Sequence, residues 1–591
     1  MLAGKFMLYR EVTEFYEKVE GTSKRLEITA YLVDLLKKAG CEEVANVVYM
    51  THGKLFPDFY PEKIGMAEKM AIRTLSSVSG MDIKEVEALY KKKGDIGLLA
   101  EELMSQSRHS RLSTRELQVN EVHDELAKIS EASGPGSQDL KVKLLADLLS
   151  SSTPKEAKYI LRIVVGKMRM GVAAMTLVDA VAAAYASKED SDKVERAFNI
   201  TSDLGKVAEV MCRNGLKGLS TLHLRVNVPV RSMLAERLPG IKEILEKLGG
   251  RAAFDFKYDG LRMQAHIDGG KVRLFSRQLE DLTSQFPEIA EAVGRAFKGD
   301  SGIVEGECVP VDQNTGELLP FQVVSRRRGR KHGVEEAMEE YPVTLFLFDL
   351  LLADGKEYLD EPFPVRRKKL EESIRENDRV KLSTLIVTDS IREAEKFFNQ
   401  ALEAGCEGVV AKSVAPDSVY QAGARGWLWI KYKRDYKSEM VDTVDLVVVG
   451  AFAGRGRRSG TYGALLMATY NKERDVFETV TKLGSGFDDE TLAALPKMLS
   501  PYLLKQKDSS VDSKMEADFW FKPKLVLEVL GAEITHSPVH TCCFGAVRAD
   551  SGLAIRFPRF TGRFRDDKDA YDATTSKEIL EMYRMQLKKV E

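Results

Sequence analysis

The stretch Phe254–Gly270, FDFKYDGLRMQAHIDGG, constrains the fold more than any other part of the chain. Phe254, Phe256 and Tyr258 fall on one side of an extended strand, and Asp255, Lys257 and Asp259 on the other. After a turn at Asp259-Gly260 the alternation resumes. Leu261, Met263, Ala265 and Ile267 take the apolar face, and Arg262, Gln264 and His266 the polar one. The pattern predicts a β-hairpin with one charged face. Solvation would explain such a face. So would a nucleophilic lysine, Lys257, in a nucleotide-binding site.

The texture around this segment divides the chain. Residues 1–219 read as helix from the spacing of their apolar positions. In TPKEAKYILRIVVGKMRMG, Thr153 can cap, Pro154 suits the first helical position and Glu156 completes a capping box. Ala157, Ile160, Leu161, Val164, Val165 and Met168 form the apolar stripe, and Gly171 is the expected stop. Lys155, Lys158, Arg162 and Arg169 lie off that stripe, where they meet either water or phosphates. Residues 220–240 carry Pro229 and Pro239 and read as a connector. Residues 241–436 read as an α+β domain with antiparallel sheets, with helices at Val365–Arg375 and Ile391–Ala404. Residues 437–591 read as a small β-barrel followed by a helix that starts with a capping box at Thr575 and Glu578. A chain of 591 residues supports three or four such cores.

Composition excludes some classes. No apolar run approaches the ~18 residues that span a bilayer, so no membrane partner is expected. The N-terminus lacks the apolar core of a signal peptide, and a cytoplasmic protein is expected. The six cysteines are scattered without a CxxC pair, which indicates neither a zinc site nor a disulfide framework. The net charge of −2 gives no general affinity for nucleic acid, so any basic surface must be local. Three runs are basic: SRRRGRKHG (Ser325–Gly333), GRGRRSG (Gly454–Gly460) and RFPRFTGRFR (Arg556–Arg565).

A free lysine, with a pKa of about 10.4, must lose a proton before it can attack phosphorus. Asp255 and Asp259 would hold that proton on, so a metal ion bound with phosphates is the expected offset. Attack on the α-phosphate would give a lysine phosphoramidate and pyrophosphate, with catalysis by positioning and charge neutralisation. Later segments offer the remaining parts. IVEGECV puts Glu305 and Glu307 on one strand face, and FLFDLL supplies Phe346 and Phe348. EGVVAK presents Glu407 at the start of a strand. GWLWIKYK gives Trp427, Trp429, Lys431 and Lys433 one parity, so both lysines share a face.

With these motifs in this order, the chain resembles the ATP-dependent DNA ligases of the archaeal and eukaryotic replicative type, over nearly its whole length. KYDGLR resembles the family's K-x-D-G-x-R nucleophile motif. It implies that Lys257 is adenylated and that Arg262 is the neighbouring cation. SRQLEDLT brings Arg277 to the nucleotide or the nick. VEGE implies that Glu307 binds ribose and helps with metal, and LFDLL that Phe348 stacks on adenine. EGVVAK implies Glu407 as the second metal carboxylate. ARGWLWIKYK brings Arg425, Lys431 and Lys433 to the nucleotide, with Lys431 on the α-phosphate. VPVRSMLA, FKPKLVLEVLGAEITHSP and LAIRFPRF resemble further blocks of the family. The last implies an oligonucleotide-binding (OB-fold) barrel whose Arg556 and Arg559 orient pyrophosphate. TPKEAKYILRIVVGKMRMG resembles a signature of the family's helical DNA-binding domain. Asp255 stands where the family usually has Glu, at a position that touches the adenine edge.

The resemblance implies ATP as co-substrate, Mg²⁺ or Mn²⁺ as metal, and nicked double-stranded DNA as partner in replication, repair and recombination. It further implies a sliding clamp as an additional partner, a monomeric enzyme and a hinge at KRDY (Lys433–Tyr436). An RNA-capping guanylyltransferase, an RNA ligase or a non-catalytic DNA clamp are the alternatives. The long helical N-terminal region favours duplex DNA over the first two, and the intact Lys257, Glu307, Glu407 and Lys431 disfavour the third.

Overall fold

The computed structural model describes residues 6–106, 115–311, 318, 321, 324, 327, 329, 333–433, 443–454, 461–531, 533–556 and 558–588. The KRDY segment after Lys433, most of the two basic runs at 325–333 and 454–460, and the Arg556 side chain lie outside the described residues. The chain forms two compact units, residues 1–433 and 434–591.

The first unit begins with helices, from Tyr9–Glu20 through Leu204–Asn214. Helix Pro154–Val164 shows why they form. Thr153 Oγ1 accepts from the Glu156 N–H, the Glu156 carboxylate accepts from the Thr153 N–H at 2.7 Å, and Pro154 opens the first turn. The helix stops at Val164, short of Gly171, because Gly166 takes the left-handed conformation at φ +67° and turns the chain. Its off-stripe cations also differ from expectation. Lys158 is buried against Glu17 (2.6 Å) and Glu20 (2.8 Å), and Arg162 against Glu20 (2.9 Å) and Asp95 (2.8 Å). Arg169 Nη2 donates to Gly94 O, and Lys155 alone of the four is exposed. Lys158 and Arg162 therefore hold the helices together and are not available to phosphates. The cysteines also depart from expectation. Cys41 and Cys212 form a disulfide across 171 residues, a pairing that scattered spacing does not reveal.

The rest of this unit is built on two sheets. One has the order β1 (Leu234–Arg237), β11 (Arg425–Lys433), β10 (Gly408–Ser413), β2 (Ala252–Lys257), β9 (Leu385–Thr388). The other runs β4 (Lys271–Ser276), β3 (Leu261–Asp268), β5 (Ser301–Pro310), β6 (Val343–Ala353), β7 (Lys356–Glu357), with β8 (Val380–Leu382) beside β6. Pairing is antiparallel except β1 with β11 and β6 with β8. The expected hairpin is absent. β2 and β3 belong to different sheets, and Asp259-Gly260 carries the chain from one to the other. Alternation predicts both strands but not their partners. Gly260 is required there, because a Cβ would sit 2.4 Å from Cys308 O and 3.0 Å from Glu307 Cγ. Helices Phe363–Ser373 and Ile391–Glu403 fall at the two expected segments. Met233, Ile200 and Val230 pack with Ile303, Leu351 and Trp429, joining the helical part to the sheets.

The second unit has an eight-stranded sheet, a two-stranded sheet (Glu533–Ser537 with Gly552–Arg556) and the helix Ser576–Lys588. That helix opens with the expected box. The Glu578 N–H donates to Thr575 Oγ1 at 3.2 Å, and the Thr575 N–H to Glu578 Oε2 at 2.7 Å.

Candidate active site

The strand switch at Asp259-Gly260 sets a cleft of about 210 Å³ between the sheets of the first unit. Asp255, Lys257, Lys412, Trp429 and Lys431 line it from one sheet. Arg262, Glu307 and Phe348 line it from the other, with Arg277 just past β4. Arg425 and Tyr258 also line it.

The register of three adjacent strands explains the clustering. Gly408 on β10 lies between Lys257 on β2 and Lys433 on β11, and Val410 lies between Asp255 and Lys431. Residues two apart share a face, so Asp255, Lys257, Lys431 and Lys433 project together. Gly408 has φ +149°, and a Cβ there would lie 2.2 Å from Tyr432 O. This close approach lets its neighbour Glu407 reach both lysines. Glu407 Oε2 is 2.6 Å from Lys257 Nζ and 2.5 Å from Lys433 Nζ.

The site's electrostatics follow from this packing. Burial would raise the Glu407 carboxyl, but Lys257 and Lys433 outweigh it and hold the pKa below the ordinary value. Burial, reinforced by the charge of Glu407, pushes Asp259 up, against the Phe321 N–H that donates to Asp259 Oδ2. Burial also pushes Glu307 up to about 7, against the pull of Lys257 and Arg262, with Glu407 and Asp259 adding to the rise. Burial and the cations Lys433, Lys257, Arg425 and Arg237 lower Lys431. Asp259, Glu307 and Glu407 feel one another's charge and offer oxygen alone, the donor type that a hard divalent cation takes.

Several sequence candidates are anchored by neighbours. Arg262 Nη1 donates to Met233 O at 2.7 Å and Nη2 to Glu305 Oε2 at 2.8 Å, and its guanidinium lies 5.3 Å from the Phe348 ring centroid. Glu305 is fully buried and also accepts from Tyr420, Gln264 and Ser232, so it holds Arg262 rather than facing the cleft. The two phenylalanines of FLFDLL separate. Phe348 lines the cleft, while Phe346 stacks on Tyr258 with centroids 4.2 Å apart. His266 is buried, accepts from the Asn227 N–H and bonds Gln264, a structural role.

Lys412 and Trp429 line the cleft without having been assigned a role from sequence. Lys412 Nζ donates to Asp255 Oδ2 at 2.8 Å and to Phe348 O at 3.3 Å. A lysine ending an otherwise apolar strand was the available signal for it. Among the basic runs, Arg327 is buried against Glu288 at 2.5 Å, and Arg565 pairs with Asp445 at 2.6 Å. Neither is free surface charge. Arg559, in the second unit, is exposed.

Three family models match the chain. "DNA ligase N terminus" covers residues 8–182, "ATP dependent DNA ligase domain" 232–433, and "ATP dependent DNA ligase C terminal region" 458–568. A protein of Thermofilum pendens named DNA ligase 2 is 51% identical over 589 residues, which cover 98% of either chain. A DNA ligase of Thermoplasma volcanium is 47% identical over 582 residues, covering 98% of this chain and 99% of that one. The solved structure named Pmar-Lig_PreS3 matches with a TM-score of 0.55 at 16% identity, covering 94% of this chain and 99% of that one, a likeness of fold.

Proposed function

The chain belongs to the ATP-dependent DNA ligases, which seal nicks in duplex DNA with ATP as co-substrate, and from that premise we propose that Lys257 is its AMP-carrying residue. The observation that carries this assignment is the meeting of Lys257, Lys433 and Glu407 on one carboxylate oxygen, beside Phe348, Glu307 and Lys431 in a single cleft.

In the proposed sequence, Lys257 Nζ attacks the α-phosphorus of ATP, a P–N bond forms and pyrophosphate leaves. Lys257 must first shed a proton, which the ionised Glu407 Oε2, at 2.6 Å, keeps on the amine while no nucleotide is bound. Lys431 and Lys433 lie on the same face and offset charge on the phosphates. Phe348 stacks on the base, Arg262 and Arg277 flank the nucleotide, and Glu307 takes the ribose. Glu307 and Glu407 would hold a divalent cation, Mg²⁺ or Mn²⁺, which supplies neutralisation of the phosphates. AMP then passes from Lys257 to the 5′-phosphate at the nick, and the 3′-hydroxyl displaces it to close the backbone. Arg425, which lines the cleft, is assigned to the nucleotide, and Arg556 and Arg559 are assigned to pyrophosphate on the sequence motifs alone.

In the proposed division of labour, residues 1–219 hold the duplex, 241–436 carry adenylation and 437–591 form the OB-fold domain. DNA contact is mainly to phosphates, so binding should weaken steeply with salt. A monomer is the proposed working form, with a sliding clamp as a further partner. The test of the assignment is incubation with labelled ATP and a divalent cation, comparing the wild type with Lys257→Ala. One AMP per wild-type chain and none on the variant are expected. Labelling of the variant would remove the assignment.

A further inference from the structure

Two adjacent cysteines of the second unit turn their sulfurs toward one carboxylate. The Sγ atoms of Cys542 and Cys543 and an oxygen of Glu478 lie within 4.8 Å of one another. Neighbours in an extended strand point to opposite faces, so adjacent sulfurs ordinarily diverge. Here the chain bends between them. Cys543 takes the left-handed conformation at φ +51°, which non-glycine residues rarely adopt. Its N–H donates to Glu478 Oε2 at 3.0 Å, and Thr479 O accepts from the Thr541 and Cys542 N–H groups, each at 3.0 Å. The bend is thus pinned to strand Val476–Leu483. Both cysteines are free thiols in an enclosed place: Cys542 is fully buried, Glu478 is 1% exposed and Cys543 is half-buried. Glu478 Oε1 accepts from Asn471 Nδ2 at 2.8 Å and Arg474 Nη1 at 2.9 Å, which fixes the carboxylate. Cys543 Sγ donates to Ser576 O at 2.9 Å, at the start of helix Ser576–Lys588, and Thr469 Oγ1 donates to Cys542 Sγ at 3.5 Å.

We propose that Glu478, Cys542 and Cys543 form a structural site for a thiophilic divalent cation of the Zn²⁺ type. Two thiolates and a carboxylate oxygen are a donor set that Zn²⁺ takes, whereas Mg²⁺ takes oxygen alone. The fourth position of a tetrahedral ion is left to the Ser576 carbonyl, which already meets Cys543 Sγ, or to water. On binding, each thiol exchanges its S–H bond for a sulfur–metal bond and releases its proton to solvent. The three ligands then carry one negative charge more than the ion neutralises, and the Arg474 guanidinium on Glu478 offsets it. The bound ion ties strand Val476–Leu483 and residues 541–543 to the start of the C-terminal helix, three pieces of chain that only the fold brings together. The pair is adjacent rather than two residues apart, so the CxxC spacing that marks many zinc sites in a sequence is missing.

The probe is Co²⁺, whose bonds to thiolate give a charge-transfer absorption in the near ultraviolet. It is added under argon to the full-length, chelator-treated protein, without reductant, so that Cys41–Cys212 stays closed. Wild type, Cys542→Ser/Cys543→Ser and Glu478→Gln are compared. The buried thiols of Cys308 and Cys406 remain in all three and serve as the internal control. Wild type should develop the band and saturate at one ion per chain, and Zn²⁺ should displace Co²⁺ at a free concentration of about a micromolar or below. The double serine variant should lose the band. Glu478→Gln should keep it with an affinity at least about tenfold weaker, since even the loss of an outer-shell partner costs that much. Zn²⁺ should raise the unfolding temperature of wild type by a few degrees and leave that of the double serine variant where it is. No band in wild type, a band retained by the double serine variant, unchanged affinity in Glu478→Gln, or binding only at about millimolar metal would each overturn the proposal.

Discussion

Lys257 and Glu407 meet at 2.6 Å through Oε2, the oxygen that also holds Lys433 at 2.5 Å. Without nucleotide, the attacking lysine is therefore ion-paired, and the carboxylate that restrains it is also a proposed metal ligand. Glu407→Gln should cut ligase–AMP formation by about 100-fold or more, on the scale of losing a preorganised charge at a reacting centre. The same change should make Lys257 more reactive toward a small amine-acylating reagent at pH 8, because its stabilising charge is gone while Lys431 and Lys433 remain. Peptide mapping of the acylated protein reads the second effect. Unchanged AMP formation, or a less reactive Lys257, would contradict the pairing.

Glu307 links pH to stability. Its folded pKa is about 7, above the ordinary 4.5, so folding favours the protonated acid. Below about pH 4.5 both states are protonated and no cost arises. The cost grows as pH rises between the two values and is complete above about 7. Glu307→Gln should therefore raise the unfolding temperature of the ligand-free enzyme by a few degrees at pH 8 and leave it unchanged at pH 4. Scanning calorimetry at the two pH values checks this, and a gain at pH 4 alone would have the wrong sign.

Arg162 separates packing from DNA binding. Its guanidinium is buried between Glu20 and Asp95, so Arg162→Met leaves Glu20 with Lys158 alone and Asp95 with only the more distant Arg169. The change should cost about 3–5 kcal/mol, the usual penalty for breaking a buried ion pair. The salt dependence of nicked-DNA binding by the folded variant should stay as in wild type. A slope reduced by about one, the value of a lost phosphate contact, with unchanged stability would reverse the assignment.

The Cys41–Cys212 disulfide closes a separation of 171 residues. Its reduction should lower the stability of the helical part by about 2–5 kcal/mol. Melts with and without reductant, and a Cys41→Ser/Cys212→Ser variant that ignores reductant, test this. A reductant effect that persists in the variant would place the cause elsewhere.

How far the sequence could be read depended on whether local or long-range contacts decided each feature. Capping chemistry at Thr153 and Glu156 is local and was fully legible, as were the helices after Pro362 and Ser390. Alternation predicted the strands on either side of Gly260. The first of them, β2, takes both its partners, β10 and β9, from more than a hundred residues away, so its separation from β3 was not legible. The same limit hid the roles of Lys158 and Arg162. Their acids sit at Glu17, Glu20 and Asp95, so off-stripe position looked like exposure. Ordered motifs did bring most site candidates to one cleft. Lys412 escaped because its partner Asp255 lies two strand positions before the nucleophile, a relationship set by sheet register and not by spacing.

The central claim is the covalent bond at Lys257. Intact-mass and peptide mass spectrometry after exposure to ATP and Mg²⁺ should find one AMP per chain, on the peptide carrying Lys257. Lys257→Arg should carry none and should fail to close a nick with ATP. AMP on another residue, or nick closure by Lys257→Arg, would contradict the account.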